Sequence, residues 1–571
     1  MLQLTWLALS LVASPAQLPP QADVDARAST PDSMARDSSA RARAVHLLQR
    51  ISFGMRPGDV ERVLTMGVDA WLDAQLQPVT RPDSAAARAV AALPVSRMTS
   101  ADLGRMLVEV RQDRRRRQEA GAAPPSAVRP RAPDTATSDP AATLRRRLGE
   151  VQLTAVIRAV ESERQLFEVL VDFWTNHFNV FLGKGPVRPL VKDYIDSVIR
   201  PHALGRFEDL LVATARSPSM LLYLDNASSV APGSRPPELA TMQRRIRNAE
   251  MRMRRSPRRE TNVRLERARQ RMERIEQQRP TGLNENYARE LLELHTLGVD
   301  AGYTQQDVVN VARILTGWSV TDRARGGTRF AFRAWAHDHD PATVLGRRFD
   351  EGGMEDGLAL LHFLAEHPAT RRHISARLCQ RFVADRPPEG CIEAGVTAWQ
   401  VTDGNISEVV RAILASPDFW AAPNWDNRIK TPLEFVASGI RALDGHVGNR
   451  FGALQALRRL GQPPYGAEAP TGYPETAADW MNAGAILNRV NIGLALASGR
   501  LPGVTTDLDA VVPLGTLDDM IQAANATILG GTASRHTLEV MRERTREVPA
   551  PRDQRALIVG LALGSPEFQR R

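Results

Sequence analysis

Apolar residues recur along most of this chain at steps of three and four, the spacing of an amphipathic helix. A first helix is marked by Val45, Leu47, Leu48 and Ile51. A second opens at Asp59 and carries Val60, Val63 and Leu64 on its apolar side, and a third, Val68 to Leu76, carries Trp71, Leu72 and Leu76. From Leu144 to Phe181 the helical spacing returns through Leu166, Val169, Leu170, Phe173 and Trp174. Two narrower seams follow, Leu239-Met242-Ile246-Ala249-Met253 and Leu265-Ala268-Met272-Ile275, interrupted by Ser256-Pro257. They predict a helical hairpin whose seams face each other. A Ser-Pro pair ends an apolar helix three times, at Ser217-Pro218, Ser416-Pro417 and Ser565-Pro566, and supplies a cap and a first helical residue for a new turn. Period-two alternation is clear only at Arg329-Phe330-Ala331-Phe332-Arg333, which predicts a small hairpin with Thr343 to Phe349 across a turn at His337–Pro341. The expected fold is all-α and multi-helical, with one small β-hairpin and an inserted helical-hairpin arm.

Composition changes this picture at the ends and in the arm. The apolar run of residues 1–16, closing on Ser14-Pro15-Ala16, is too short to span a bilayer and reads as a signal peptide. Residues 17–42, rich in Ala, Ser, Asp and Pro, read as a flexible leader. The remainder, 43–571, reads as one helical domain with a loop insertion at 111–142 and a basic helical arm at 235–280. No later segment is apolar enough for a membrane helix. The net charge of +9 is local: residues 235–280 hold 15 Arg against 6 Asp or Glu, which accounts for all of it. Of the 74 basic residues only Lys184, Lys192 and Lys430 are lysines, so the arginine excess is a general habit of the chain. No specific nucleic-acid motif accompanies it. Cys379 and Cys391, twelve residues apart, fit either a disulfide in an oxidising compartment or two buried thiols.

Several strings are more specific than periodicity. They include Val45 to Gly54 (VHLLQRISFG), Asp172 to Phe178 (DFWTNHF), Asn284 to Gly298 (NENYARELLELHTLG), Tyr303-Thr304-Gln305, Leu315 to Trp318, His337-Asp338 and Lys430 to Phe435 (KTPLEF). In this order they resemble the bacterial family catalogued as "domain of unknown function 1800", from about Arg43 to the final Ser565 to Gln569 (SPEFQ). The resemblance implies a complete chain, export, and an envelope protein partner; it brings no established activity.

The Asn284–Leu297 stretch has the start and stop signals of a helix: Asn284 to cap it, Glu285 to meet the dipole and Gly298 to end it. Tyr287, Leu291 and Leu294 form its apolar stripe. Asn286, Glu290 and Glu293 fall on a neighbouring one, with Arg289 beside them. Two carboxylates in line can do acid–base work, hold a divalent metal, or simply pair with arginines. Asp172 and His177 on an earlier helix, His295, and His337 with Asp338 are the other polar candidates. The candidate catalytic set is therefore Glu290, Glu293, His177 and His295. The candidate metal set is Asp172, His177, Glu290, Glu293, His337 and Asp338. For each histidine the alternative is a buried hydrogen-bond bridge. Gly-x-Ser-x-Gly, Walker, dinucleotide and zinc-cysteine patterns are all missing from the sequence. The expected function is that of an exported periplasmic or extracellular binding or accessory factor with a polar His/carboxylate site. Metal-dependent hydrolysis of an envelope polymer or secreted substrate, and anionic-polymer binding through the arm, are the alternatives.

Overall fold

A computed structural model describes residues 32–77, 82–120, 139–255, 259–278, 282–321 and 328–571. The signal-peptide reading and most of the leader lie outside them, as does most of the 111–142 insertion. The structure is 66% helical. Among the described residues no helix is long and apolar enough to cross a membrane.

The stretch expected to be one domain divides into two compact units. The first comprises Met1–Asn179, Ala203–Gly205 and Ile374–Arg571; the second comprises Val180–His202 and Arg206–His373. The second is thus inserted into the chain of the first.

In the first unit the opening helix runs Asp32–Ile51, eleven residues longer at its start than the apolar pattern suggests. Its added turns are largely Ala, Arg and Ser, residues that tolerate a helix without burying much. Its apolar face, Ala44, Leu47, Leu48 and Ile51, is buried. Asp59–Met66 and Val68–Leu76 follow as expected. The long pattern from Leu144 is two helices, Pro140–Glu161 and Gln165–His177, because the break at 162–164 folds back on Asp83. Cys379 and Cys391 form a disulfide, which joins the helix Pro368–Phe382 to Glu389–Thr402. Near the end, the helices Ala483–Ala497 and Pro551–Gly564 cross closely. Gly560 permits it: a Cβ there would stand 3.3 Å from the Leu494 backbone. All three Ser-Pro turns are capped as expected, Ser217, Ser416 and Ser565 accepting from backbone N–H groups two or three residues on.

The second unit carries the arm as a helical hairpin, Pro237–Arg255 and Arg259–Gln278, with Leu239, Ile246 and Leu265 buried in its seam. The arm leaves and rejoins the unit at one point, where Val230 N donates to Gly282 O (3.2 Å) and Asn284 N donates to Ser229 Oγ (3.1 Å). The expected β-hairpin needs correction. Phe330–Phe332 pairs with Trp318–Val320, and Ala342–Val344 pairs with Arg347–Phe349. The physical reason is local: Leu345 and Gly346 both take positive φ, the two-residue turn that closes a hairpin on itself. A third antiparallel pair, His446–Val447 with Val504–Thr505, belongs to the first unit.

Candidate functional site

The residues singled out from sequence fall in different places. Asp172 and His177 belong to the first unit; Glu290, Glu293, His295, His337 and Asp338 belong to the second. Among the described residues no group of three or more His, Cys, Asp or Glu is arranged to hold a metal ion.

Asn286–Glu290 is α-helical, and Leu291–His295 then widens into a π turn, with Leu297 N reaching back five residues to Leu292 O (2.9 Å). Widening buries Leu291 and Leu292 together. Asn284 Oδ1 accepts from Asn286 N (2.9 Å), and Gly298 ends the segment at φ 89°. Arg289 pairs with Glu285 (3.4 Å) and donates to Gln305. It does not pair with Glu290 or Glu293. Partial burial, then the neighbouring Glu293 charge, raises the Glu290 carboxyl against the opposing pull of Arg289. Partial burial, then the Glu293 charge, raises the Tyr303 hydroxyl. His295 is fully buried, and burial lowers it to about 3, so it is neutral at physiological pH.

His337 and Asp338 are bridges. His337 Nδ1 donates to Thr316 O (3.0 Å), while Nε2 accepts from Gly353 N (3.1 Å). Asp338 holds Arg313 through both oxygens (2.8 and 3.2 Å). The charges acting on His337 are His339, Asp356 and Asp338, and none of these acts on Glu290. In the first unit, His177 is buried beside Phe173, Trp174 and Phe178. Asn176 closes on Tyr473 in both directions (2.8 and 2.7 Å). Asp172 faces Arg381 (3.7 Å).

That last contact leads to a concentration of buried charge which the sequence reading missed. Arg50, Arg381, Arg428, Lys430, Arg489 and Arg571 are all buried in the first unit. The side-chain carboxylates acting on them include Asp172, Asp385, Asp426, Glu434 and Glu475. In such a setting an unpaired charge is costly.

Local sequence explains the assembly. Thr431, Pro432 and Glu434 make a capping box for the helix Pro432–Ala442: Glu434 Oε2 accepts from Thr431 N (2.8 Å), and Thr431 Oγ1 accepts in return from Glu434 N. This fixes the carboxylate where Arg381 Nη1 (2.7 Å) and Arg571 Nη2 (3.1 Å) meet it. Burial alone would raise the Glu434 carboxyl; the two guanidinium groups and the Thr431 N–H instead hold it at about 2. Asp172, part-buried and farther from Arg381, is lifted to about 6 by desolvation against that guanidinium's pull. Lys430 stands just before the cap. Its N–H donates to Gln569 O (2.9 Å), and its carbonyl accepts from Arg489 (2.7 Å). The capped turn Pro566–Gln569 brings the Phe568 ring beneath the ammonium, 3.7 Å from Nζ to the ring centre. From the other side, Ser52–Gly54 presses on the helix at Ser438. Gly54 has φ 111°, and a Cβ there would lie 2.7 Å from Ser438 Cα.

Between these elements lies a cavity of about 30 Å³, lined among others by Ser52, Lys430, Glu434, Glu567, Phe568 and Arg571. Gln49 lines it too, and also lines a wider groove of about 340 Å³ bounded by His46, Trp425, Asp426 and Gly530–Thr532. His46 stacks on Trp425 (4.8 Å, 10°) and donates Nε2–H to Phe419 O (2.8 Å). Burial, assisted by Arg50, lowers it to about 3, and Nδ1 has no hydrogen-bond partner. Lys430 Nζ makes no hydrogen bond or ion pair with any described residue. Burial, and then the Arg571 and Arg489 charges, bring it down to about 7 against the pull of Glu434. Arg571 Nε and Nη1 are likewise buried without a partner.

A family model described as a protein of unknown function (DUF1800) matches residues 46–570. The chain belongs to that family. Neither a curated protein nor a solved structure matches it. Three of the strings that carry the DUF1800 resemblance, Val45 to Gly54, Lys430 to Phe435 and Ser565 to Gln569, supply most of the cavity wall. A fourth, Asp172 to Phe178, supplies Asp172 to the charge cluster beside it. The signal available in the sequence was a lysine set directly before a capping box in a chain that otherwise uses arginine.

Proposed function

We propose that the protein is an exported binding factor of the cell envelope whose ligand is a small organic anion, seated between Lys430 and Arg571. The observation that carries this reading is the shared cavity. Two buried cationic side chains line it beside the carboxylates Glu434 and Glu567: Lys430, whose Nζ makes no hydrogen bond or ion pair with a described residue, and Arg571, which meets Glu434 through Nη2 and leaves Nε and Nη1 unpartnered. An anion there would accept from the donors that Lys430 Nζ and Arg571 leave unused. The Cys379–Cys391 disulfide supports the export part of the reading, since such bonds persist in oxidising compartments.

Calorimetric titration of the purified chain with acetate, lactate and phosphate tests the reading. Binding is expected to take up protons above pH 7, because an anion beside Lys430 favours the ammonium form. Lys430→Met should abolish both the binding and the proton uptake. If no small anion binds at millimolar concentration, or if Lys430→Met binds as well as the parent, the reading is wrong.

A further inference from the structure

We propose that the arm of the second unit binds a linear acidic polysaccharide carrying one carboxylate on each sugar ring, along a stripe formed by Arg264, Arg267, Arg271 and Arg274. The stripe belongs to the second unit and the Lys430 cavity to the first, so the two readings stand or fall separately.

The first argument is what the arm leaves open. Its helices, Pro237–Arg255 and Arg259–Gln278, pack chiefly on each other, with Leu239, Ile246 and Leu265 buried in the seam. The outer faces carry the charge. Residues 235–280 hold 15 arginines against 6 glutamates, while the rest of the chain balances. The chain's general use of arginine explains which cation stands there but not the local excess.

The second argument is how the second helix sorts its charges. Arg264, Arg267, Arg271 and Arg274 step by 3, 4 and 3, which sets them on one face, and all four are exposed. Glu260, one turn before Arg264, marks the end of that line. The later glutamates, Glu266, Glu273 and Glu276, lie about 120° or more around the helix from it, at about 100° per residue. Arg269, off the stripe, takes Glu250 (2.6 Å) and faces Glu266 (3.8 Å). Arg267, Arg271 and Arg274 make no ion pair with a described residue. A face that served only solubility would do as well with the two signs mixed in i, i+4 pairs.

Charge spacing and composition then select the partner. The four Cα positions span about 15 Å, a rise of about 5 Å per arginine. That suits a chain with one anionic group per sugar ring, each carboxylate met by a planar guanidinium. A nucleic-acid strand is denser, with a phosphate about every 3.4 Å, and single strands are also gripped by aromatic stacking. Residues 235–280 contain no Phe, Tyr or Trp. A bilayer surface calls for an apolar face turned outward. Here the two seams close on each other, leaving Met251 and Val263 as the large exposed apolar side chains among the arm's described residues.

The test is fluorescence anisotropy of the full chain with labelled oligogalacturonate of about ten rings, at about 50 and about 200 mM salt. Binding is expected, and it should weaken at least about tenfold at the higher salt. Replacing Arg264, Arg267, Arg271 and Arg274 together with glutamine should weaken it at least about tenfold at the lower salt. A control removes the same charge elsewhere: glutamine at Arg111, Arg114, Arg115 and Arg116, exposed in the first unit, should leave affinity within about twofold of the parent. All eight positions are exposed and helical, where glutamine is well tolerated, and far-ultraviolet circular dichroism checks that both variants stay folded. Undiminished binding by the stripe variant, or an equal loss in the control, overturns the proposal. So does a neutral oligosaccharide of the same length that binds as well. A DNA duplex or anionic vesicles bound more tightly than the oligogalacturonate overturn the choice of partner and with it the proposal.

Discussion

Replacing Glu434 with glutamine keeps its shape and removes its charge from between Arg381 and Arg571, both buried. The cost can be worked from the carboxyl itself. Holding it at about 2, against an ordinary 4.5, is worth about 3 kcal/mol of folding stability at neutral pH. Removing one partner of a buried pair generally costs about 3–5 kcal/mol, in the same range. The sign of the pH dependence follows. A depressed carboxyl contributes fully above pH 4.5 and loses its contribution as the pH falls toward 2. The parent should therefore exceed Glu434→Gln by about 3 kcal/mol at pH 7, and the gap should close on acidification. Urea denaturation followed by tryptophan fluorescence reads this, since Trp174, Trp425 and Trp480 lie in the same unit. Taking the difference between parent and variant at each pH cancels the titration of distant groups. A gap below about 1 kcal/mol at pH 7, or one unchanged between pH 7 and pH 3, would refute the reasoning.

Three further outcomes are expected. Reducing the Cys379–Cys391 bond, or replacing both cysteines with serine, should lower stability by at most about 3 kcal/mol, read as a shift in the urea midpoint; an unchanged midpoint would count against a structural role. His46, brought to about 3 by burial, binds a proton more readily unfolded than folded, so stability should fall as pH drops from 6.5 toward 3. His46→Gln should flatten that slope in urea titrations across the window, and an unaltered slope would contradict the assignment. Excising residues 235–280 and joining the ends with a short Gly-Ser linker should leave the thermal midpoint of the remainder unchanged, because the arm starts and finishes at the Val230–Gly282 contact. The same deletion should abolish any salt-sensitive binding to polyanions.

Much of the fold is legible in the spacing of apolar residues. The arm's two seams and the three Ser-Pro turns follow from short-range chemistry, and the structure has them where that chemistry puts them. Strand pairing was not legible, because the partner of Phe330–Phe332 is set by tertiary contact rather than by the nearest alternating run. The site was half visible. Its wall comes from strings at residues 45–54, 430–435 and 565–569, each recognisable on its own. Nothing in periodicity says that segments so far apart meet, and a buried arginine looks in sequence like an exposed one. Glu290 and Glu293 show the reverse: their spacing was readable, but whether arginine would neutralise them was not, and Arg289 turns to Glu285 instead.

The insertion of the second unit into the first also sets an order of events during synthesis. His46 finds its acceptor at Phe419, 373 positions later. At about 5–20 residues per second, the ribosome takes roughly 20 to 75 seconds to cover that distance. Until then the first helix can pack only on its early neighbours, Asp59–Met66, Val68–Leu76 and Gln165–His177, while the inserted unit can already close. The first unit is thus completed only after the inserted one has been made. Lys430 acquires its surroundings only once Phe568 and Arg571 have been made, so truncated chains carry the lysine without its cavity.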